Sequence, residues 1–377
     1  MTGADELKRR VEHSPAFILD MPQVHANLQP LQRIKQASGC RILYSMKALP
    51  LVPLLADLKQ RVDGISVSSL FEARLANAVL GGQGSLHLTT PGLRPEEFAE
   101  LGGLCSHISF NSLPQYRRLH ESSAGYSKGL RVNPKLSFAD DERYDPCRKH
   151  SKLGVDIALL QQGLPAGIEG LHIHTVFGQT DFQPLQAVIT ELKPLLTPQS
   201  GLKWLNLGGG YLYHRIAGLN PIIEAIRYLK THIAEQVYLE PGKALVGNAG
   251  YLLTTVLDSF DSDGKTVLVL DSSVNHHPEI FEYRRRPLLL DEDIQGGRAA
   301  ILAGSTCLAG DIFGEYRFDN IPAVGDKLVF ADVGAYSLIK AQRFNGYALP
   351  AVYLKQNDEC GLLKQDDYAE YSRQWLG

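Results

Sequence analysis

Three residues that could act in catalysis each lie near the end of an apolar, strand-like run of this sequence. Lys47 lies in the run 41–48, and His174 and Glu240 lie near the ends of two later runs. An amine that burial keeps uncharged can form a Schiff base with an aldehyde. For the run 41–48 alone, a lysine that begins a surface loop is the simpler interpretation. The chemical interpretation of Lys47 therefore depends on what the other runs place beside it.

A glycine triplet suggests what kind of ligand would be held. Gly208, Gly209 and Gly210 follow one another at the end of the apolar run 203–208. Successive glycines let backbone N–H groups approach an anion closely, as in phosphate cradles. Together with a lysine, a histidine and a carboxylate, such a cradle suggests a phosphorylated heteroaromatic aldehyde as ligand.

The order of apolar runs predicts the element that would bring these residues together. Eight predicted strands recur over about 200 residues, most of them separated by one amphipathic helix, which is the pattern of a (β/α)8 barrel. The runs are 41–48, 64–69, 85–90, 107–111, 129–133, 170–176, 203–208 and 236–240. A doubly wound sheet would need fewer strands and a glycine-rich turn after the first one. In a barrel, functional residues lie at the carboxyl ends of the strands.

The pattern changes near residue 245. Strand-like runs with little helix between them follow, and they predict a separate all-β domain. These runs are 251–260, 265–272, 299–303, 327–331 and 351–354. The short N-terminal strand 14–20 is expected to join this domain. We therefore predict a barrel over residues 21–245 and a β-domain formed by residues 1–20 and 246–377.

Composition limits the class of protein. The chain has 377 residues, 44% of them hydrophobic and 21% charged, which is ordinary for a globular protein of two domains. A formal charge of −3 gives no reason to expect a nucleic acid or an anionic membrane as partner. Five scattered cysteines without a CxxC pair argue against a disulfide framework, and no third ligand accompanies His276 and His277, so we predict no metal. A polar N-terminus and the absence of a transmembrane-length run favour a soluble cytoplasmic protein.

Six motifs in the same order resemble those of the fold-type III pyridoxal-phosphate (PLP) enzymes, the superfamily of alanine racemase and of ornithine and diaminopimelate decarboxylases. The motifs are Tyr-Ser-Met-Lys47, His174, Leu-Gly-Gly-Gly210, Glu240-Pro-Gly242, Gly-Ser-Thr-Cys307 and Asp-Val-Gly-Ala-Tyr336. The resemblance covers nearly the whole chain and implies PLP as cofactor.

The resemblance also implies a role for each matching residue. Lys47 would be the Schiff-base lysine, His174 would stack on the cofactor ring, and Arg131 would lie near the ring. The phosphate would be held by Gly208, Gly209, Gly210, Gly242 and Tyr336. The loop with Cys307 and the tyrosine motif would enter the active site of a second copy, so a homodimer is implied.

Glu240 separates the branches of this superfamily. A carboxylate beside the pyridine nitrogen keeps it protonated, which favours the carbanion left by CO2 loss. Alanine racemases have an arginine there, so Glu240 favours decarboxylation over racemisation. Cys307 would act near the reacting carbon, where related decarboxylases use a cysteine for reprotonation.

Within the superfamily the chain most resembles the carboxynorspermidine/carboxyspermidine decarboxylases. Asp311 and Glu279 would then pair with substrate ammonium groups. Two departures concern the far end of the site: Lys243 stands where that family has a second glutamate, and the segment 175–180 is unlike the family sequence. A lysine reverses the local preference from ammonium to an anion. A different carboxy-aminopropyl or basic amino-acid substrate in natural-product biosynthesis therefore remains an alternative, as does racemisation.

Overall fold

The computed structural model describes residues 3–121, 125–139, 141–357 and 359–376. It divides into two compact units, Asn27–Ala244 and Met1–Ala26 with Leu245–Gly377. The first boundary, between residues 26 and 27, lies six residues after the predicted one. The second, between residues 244 and 245, lies one residue before the predicted one.

The chain begins with helix α1 (Gly3–Arg10), strand β1 (Ala16–Asp20) and helix α2 (Met21–Ser38), the last of which leads into the first unit. The strands of that unit are β2 (Arg41–Ser45), β3 (Gly64–Val67), β4 (Ser85–Thr89), β5 (His107–Phe110), β6 (Ser127–Asn133), β7 (Val155–Asp156), β8 (Gly170–Ile173), β9 (Trp204–Asn206) and β10 (Gln236–Leu239). The helices between them are α3 (Val52–Leu58), α4 (Leu70–Leu80), α5 (Pro95–Leu104), α6 (Leu113–Leu119), α7 (Gln183–Glu191) and α8 (Asn220–His232), and α9 (Lys243–Val246) follows β10.

Eight of these strands form a closed parallel barrel. Their order is β5-β4-β3-β2-β10-β9-β8-β6, and a further pairing of β5 with β6 closes the ring. The two-residue strand β7 pairs only with β6 and lies outside the ring. The predicted (β/α)8 barrel is confirmed, and each of the eight predicted runs contains or overlaps one of its strands.

Helix α4 shows how local sequence sets the bounds of an element. The hydroxyl of Ser69 accepts a hydrogen bond of 3.2 Å from the Glu72 N–H, and the Glu72 carboxylate accepts one of 2.7 Å from the Ser68 N–H. These two bonds satisfy N–H groups that the first helical turn leaves without a partner. At the other end Gly81 adopts a φ of 59°, the left-handed conformation that ends many helices.

One indole packs against several strands of the barrel. Trp204 is 2% exposed and belongs to a buried cluster with Leu43 and Tyr238. A Cβ atom at Gly129 on β6 or at Gly170 on β8 would overlap the indole ring, so both strands need glycine at this level. The barrel is therefore a packed core, and its ligand-binding capacity lies at an end.

The second unit is mainly sheet. Its strands after the barrel are β11 (Gly250–Ser262), β12 (Lys265–Leu270), β13 (Leu288–Leu289), β14 (Arg298–Ala303), β15 (Ile312–Phe318), β16 (Lys327–Ala331), β17 (Ala351–Gln356) and β18 (Glu359–Lys364), with helices α10 (Glu279–Tyr283) and α11 (Tyr368–Leu376). Strand β1 pairs antiparallel with β11 and parallel with β17. The prediction that the N-terminal strand joins the β-domain is thus confirmed. Helix α1, which the polar N-terminal sequence did not suggest, buries Ala4 and Leu7 in the same unit.

No helix in the part of the chain that the structure describes combines the length and the apolar character needed to cross a membrane.

Candidate active site

The carboxyl ends of the parallel barrel strands place the predicted catalytic residues at one rim. His174 directly follows β8, Glu240 directly follows β10, and Arg131 lies within β6. The predicted strand 41–48 is too long, because β2 ends at Ser45. Lys47 lies after it, in the single turn of 3-10 helix formed by Met46–Ala48. The prediction was too long because Met46 is apolar like the strand residues before it, although its backbone already belongs to the 3-10 turn.

The carboxylate of Glu240 is buried and hydrogen-bonded on both oxygens. It is 6% exposed, and its Oε1 accepts a hydrogen bond of 2.7 Å from Asn206 Nδ2. Its Oε2 lies 3.2 Å from His172 Nε2, which must donate because an ionised carboxylate can only accept. Burial on its own would raise the pKa of Glu240, but His172, Lys47 and Asn206 together hold it well below its usual value. Glu240 is therefore a fixed negative charge at neutral pH.

The amine of Lys47 is shifted towards its uncharged form. The residue is exposed to solvent, but the surrounding protein displaces part of the hydration shell of the ammonium. This desolvation lowers the pKa of Lys47, and Arg131 lowers it further, while Glu240 and Glu72 act in the opposite direction. A lysine with a lowered pKa has a larger fraction of nucleophilic amine at neutral pH.

His174 is a neutral imidazole. Burial lowers its pKa well below the ordinary value, and the positive charges of Lys47 and Arg131 lower it further. Its Nδ1 accepts a hydrogen bond of 3.1 Å from the Gly209 N–H, so the proton of the neutral ring lies on Nε2. An uncharged ring fixed at one edge can stack its face on an aromatic ligand.

Arg131 is a buried cation beside this histidine. It is 8% exposed, and burial lowers the pKa of its guanidinium to about 10, against the opposing effect of Glu240. At neutral pH it stays charged, so it adds positive potential to the rim.

Glycine is needed at all three positions of the triplet because neighbouring backbone leaves no room for a Cβ atom. A Cβ at Gly208 would lie 2.6 Å from the carbonyl oxygen of Ile173, and a Cβ at Gly209 or Gly210 would overlap the carbonyl oxygen of Glu240 or Val176. These contacts join the ends of three neighbouring strands.

The N–H groups of the triplet are not all available to a ligand. The Gly208 N–H donates a hydrogen bond of 2.9 Å to Asn206 Oδ1, and the Gly209 N–H donates to His174. The Gly210 N–H donates to no residue that the structure describes. The predicted cradle therefore offers one N–H group from the triplet itself.

The motif after Glu240 continues this close packing. A Cβ at Gly242 would lie 3.1 Å from Ala48 Cβ and 3.2 Å from Ser45 Cβ, so glycine lets the chain pass close to the turn that carries Lys47. Lys243 begins α9, and its ammonium lies 5.8 Å from the centroid of the Phe177 ring. Phe177 stacks on Tyr144 with ring centroids 5.1 Å apart.

Four further predicted residues belong to the β-unit, where Cys307 lies on an exposed loop after β14. The Cys307 N–H donates a hydrogen bond of 2.8 Å to Asn345 Oδ1, which fixes the loop backbone. The thiol is therefore presented to solvent on an ordered support.

Asp311 is buried, and groups of its own loop bind its carboxylate. It is 2% exposed, and its carboxylate accepts hydrogen bonds from the Val274 N–H at 2.8 Å, the Thr306 N–H at 3.1 Å and the Thr306 hydroxyl at 2.5 Å. The side chain organises the loop that precedes β15 and has no surface for a substrate ammonium group. The structure gives Asp311 a structural role in this loop, and its contact with substrate stays a prediction.

Glu279 and Tyr336 lie near each other in the same unit. Burial raises the pKa of Tyr336 to about 12, and the negative charge of Glu279 adds to this rise. Tyr336 adopts a φ of 61°, a left-handed conformation that non-glycine residues rarely take and that often marks functional sites. Glu279 is 7% exposed, so its carboxylate is also largely withdrawn from solvent.

Sequence reasoning missed two residues of the rim, His172 and Asn206. Each lies two positions before a predicted site residue, which in a strand means the same face of the sheet. The signal was a polar side chain inside an apolar run. The hydrogen bonds to Glu240 could not be predicted, because they depend on how β8, β9 and β10 are aligned.

The donor set fits PLP. The rim presents a lysine with a lowered pKa, an uncharged histidine face, a fixed carboxylate and a free N–H group next to a close backbone approach. These groups match an aldehyde, an aromatic ring, a pyridine nitrogen and a phosphate, respectively.

Comparison with known proteins agrees with this geometry. Residues 17–334 match a family model described as pyridoxal-dependent decarboxylase, C-terminal sheet domain. Carboxyaminopropylagmatine decarboxylase of Synechocystis sp. is 34% identical over 95% of this chain and 94% of its own length. Carboxynorspermidine/carboxyspermidine decarboxylase of Herminiimonas arsenicoxydans is 31% identical over 92% of this chain and 94% of its own length.

A solved structure of a decarboxylase is also similar to this chain. The crystal structure of carboxynorspermidine decarboxylase from Campylobacter jejuni, complexed with norspermidine, has a TM-score of 0.86 and 28% sequence identity. The alignment covers 96% of this chain and 100% of that one. The chain belongs to the family of PLP-dependent decarboxylases.

Proposed function

We propose that this decarboxylase removes CO2 from an amino acid with a carboxy-aminopropyl end attached to a cationic chain, as in carboxynorspermidine and carboxyspermidine. The observation that carries the proposal is the fixed negative charge of Glu240 at the rim that holds Lys47. A carboxylate at this position favours decarboxylation over the racemisation that an arginine would serve.

Each residue of the rim has a defined task in this reaction. PLP, when bound, supplies an electron sink for the carbanion that loss of CO2 leaves. Lys47 provides the amine that binds the aldehyde carbon, and Glu240 keeps a proton on the ring nitrogen. His174 supports the ring face, and Arg131 adds positive potential beside it.

The remaining tasks are binding the phosphate and replacing the lost carboxylate. Gly208, Gly209, Gly210 and Gly242 shape the backbone that approaches the phosphate, and Tyr336 is proposed as a further phosphate ligand. Cys307 is proposed to deliver the proton that takes the place of CO2 on the α-carbon.

The identity of the far end of the substrate depends on Lys243 and Glu279. The relatives named above act on substrates that share the carboxy-aminopropyl end, and their names differ in a polyamine or an agmatine moiety. Lys243 disfavours a cation at its own position, whereas Glu279 would favour one. A substrate with another far end, including a natural-product precursor, is the second candidate because of Lys243.

We further propose a cytoplasmic homodimer with shared active sites. All five cysteines are free thiols, as expected in a reducing compartment. The β-unit exposes apolar side chains close in sequence to Asn345, the residue that holds the Cys307 loop: Ile339 is 48% exposed, Phe344 47% and Tyr347 37%. Such a surface beside a proposed catalytic residue supports an interface with a second copy.

The substrate is tested by incubating the PLP-loaded enzyme with carboxyspermidine, carboxynorspermidine, carboxyaminopropylagmatine, ornithine, lysine and meso-diaminopimelate and measuring CO2. We expect release from at least one carboxy-aminopropyl compound and none from Lys47→Ala, which also loses the visible absorbance of lysine-bound PLP. Lys203→Ala is the control, because Lys203 is a surface lysine paired with Glu169. Release from meso-diaminopimelate alone would contradict the proposed substrate class.

Shared active sites are tested by mixing two inactive variants. Lys47→Ala and Cys307→Ala subunits, exchanged at random, would regain up to about a quarter of the wild-type sites if each site uses both copies. An inactive mixture in which differently tagged subunits co-purify as mixed dimers would contradict sharing.

A further inference from the structure

Two uncharged side chains hold the carboxylate of Glu240. We propose, on the basis of the function proposed above, that His172 and Asn206 are positioning residues that fix and ionise Glu240 for the ring nitrogen of PLP. They act through Glu240, and their side chains are buried at 2% and 1% exposure.

The carboxylate receives one donor on each oxygen. Asn206 Nδ2 donates to Oε1 at 2.7 Å, and His172 Nε2 donates to Oε2 at 3.2 Å. With both oxygens bound, the carboxylate plane cannot rotate without breaking a buried hydrogen bond. The direction in which Glu240 presents its charge is therefore set by β8 and β9.

The neutrality of both donors matters. Burial lowers the pKa of His172 and keeps its ring uncharged, although Glu240 favours the charged form. A lysine or arginine in either place would form an ion pair and neutralise the carboxylate. Neutral donors stabilise the ionised form and leave its full charge available to a protonated ring nitrogen.

Asn206 also connects the two ends of the cofactor site. Its Oδ1 accepts from the Gly208 N–H at 2.9 Å, and the Glu240 N–H donates to the Gly208 carbonyl at 2.8 Å. The same side chain thus binds the carboxylate with its amide nitrogen and the glycine triplet with its oxygen. An aspartate at this position would lose the donor and place a second negative charge beside Glu240.

His172 is committed to this single contact. Its Nδ1 is buried and finds no hydrogen-bond partner among the described residues. A structural histidine in a core usually satisfies both nitrogens. One unpartnered nitrogen fits a ring whose position is selected for what Nε2 does.

The charged and titratable groups around Glu240 come from five further positions of the barrel. Lys47 follows β2, His87 lies on β4, Arg131 on β6 and His174 after β8, and His172 itself is on β8. Removing a neutral donor leaves the charges of Lys47 and Arg131 in place. A rise in the pKa of Glu240 after replacement of Asn206 therefore reports the loss of a hydrogen bond, whereas replacement of His172 removes both a hydrogen bond and an electrostatic effect.

The test uses ligand-free full-length protein. The titration of Glu240 is followed by ¹³C NMR of glutamate-labelled protein, with the signal assigned by its absence in Glu240→Gln. His172→Phe and Asn206→Leu keep the side-chain size and remove the donor, and we expect the pKa of Glu240 to rise by about one unit or more in each. His172→Gln places an amide nitrogen near the position of Nε2, and we expect it to restore the wild-type titration.

The second measurement uses the PLP-loaded protein. We expect His172→Phe and Asn206→Leu to shift the pH profile of the visible absorbance and to lower kcat with little change in KM, and His172→Gln to reverse both effects. Variants that titrate and absorb as the wild type would overturn the positioning role. If the wild type binds no PLP, the proposed function fails, while the NMR titration still decides whether these residues control Glu240.

Discussion

The ammonium of Lys243 lies 5.8 Å from the centroid of the Phe177 ring, in a cation–π contact. Both residues belong to the two places where we expect the sequence to depart from the carboxynorspermidine/carboxyspermidine decarboxylase pattern. Phe177 in turn stacks on Tyr144, with an interplanar angle of 20°. The two departures are therefore one structural unit, and we expect them to affect substrate choice together.

The first prediction concerns this unit. Lys243→Glu replaces a cation by an anion, so we expect the KM for substrates with a terminal ammonium group to fall roughly tenfold, which corresponds to about 1.4 kcal/mol. The measurement is the KM and kcat of the variant for carboxyspermidine and for carboxyaminopropylagmatine. Phe177→Leu keeps the charge of Lys243 and removes its aromatic partner, so we expect it to change the same KM values less than Lys243→Glu does. An unchanged KM for every cationic substrate would place Lys243 outside the substrate site.

The second prediction concerns barrel stability. Gly170→Ala adds a Cβ that would overlap the Trp204 indole, so either the strand or the ring must move. We expect the free energy of unfolding to fall by about 1–3 kcal/mol, the usual cost of overpacking a core. Urea denaturation measures the change. Gly103→Ala is the control, because a Cβ at this exposed position of α5 meets no atom within 4 Å and should be neutral or stabilising.

The third prediction concerns acid sensitivity. His107 stacks on His87 with ring centroids 3.9 Å apart, and burial lowers the pKa of His107 to about 4, with Arg41 adding to the effect and Glu169 opposing it. The unfolded chain binds a proton on this histidine near its ordinary pKa of about 6.5, whereas the folded protein binds it only near pH 4. His107 therefore does not reduce the free energy of unfolding above pH 6.5. As the pH decreases from 6.5 towards 4, the proton that only the unfolded chain binds lowers this free energy by on the order of 2 kcal/mol.

Urea denaturation between pH 4 and 7.5 checks this sign. His107→Gln removes the titrating group, so its unfolding free energy should depend less steeply on pH than that of the wild type across this window. Equal slopes in both proteins would show that His107 does not lose its proton on folding.

The barrel was predictable because its strands are buried on both faces and read as continuous apolar runs. Strand β15 was missed because exposed and buried side chains alternate along it and Gly314 interrupts its apolar character. The hydrogen-bond donors of Glu240, His172 and Asn206, were missed for another reason. His172 is paired with Asn206, and Asn206 with Tyr238, only through the alignment of three strands that are distant in sequence. The hydrogen bonds of Asp311 could not be predicted for the same reason, because its partners are two backbone N–H groups and one hydroxyl that no motif encodes.

The last prediction separates two roles in the loop of the β-unit. Cys307→Ala should lower kcat by at least tenfold and leave the visible absorbance of bound PLP unchanged, because general-acid groups contribute about 10²–10⁴-fold. Cys360→Ala is the control, a free and only partly exposed thiol of the same unit.

Asp311→Ala should act differently from a substrate ligand. It leaves the Val274 N–H and both donors of Thr306 without their acceptor, at a cost of about 1–3 kcal/mol for each buried group that stays unpaired. We therefore expect a lower melting temperature and a lower kcat with little change in KM, since the loop that carries Cys307 loses its support. A selective rise in KM at an unchanged melting temperature would instead return Asp311 to the substrate site.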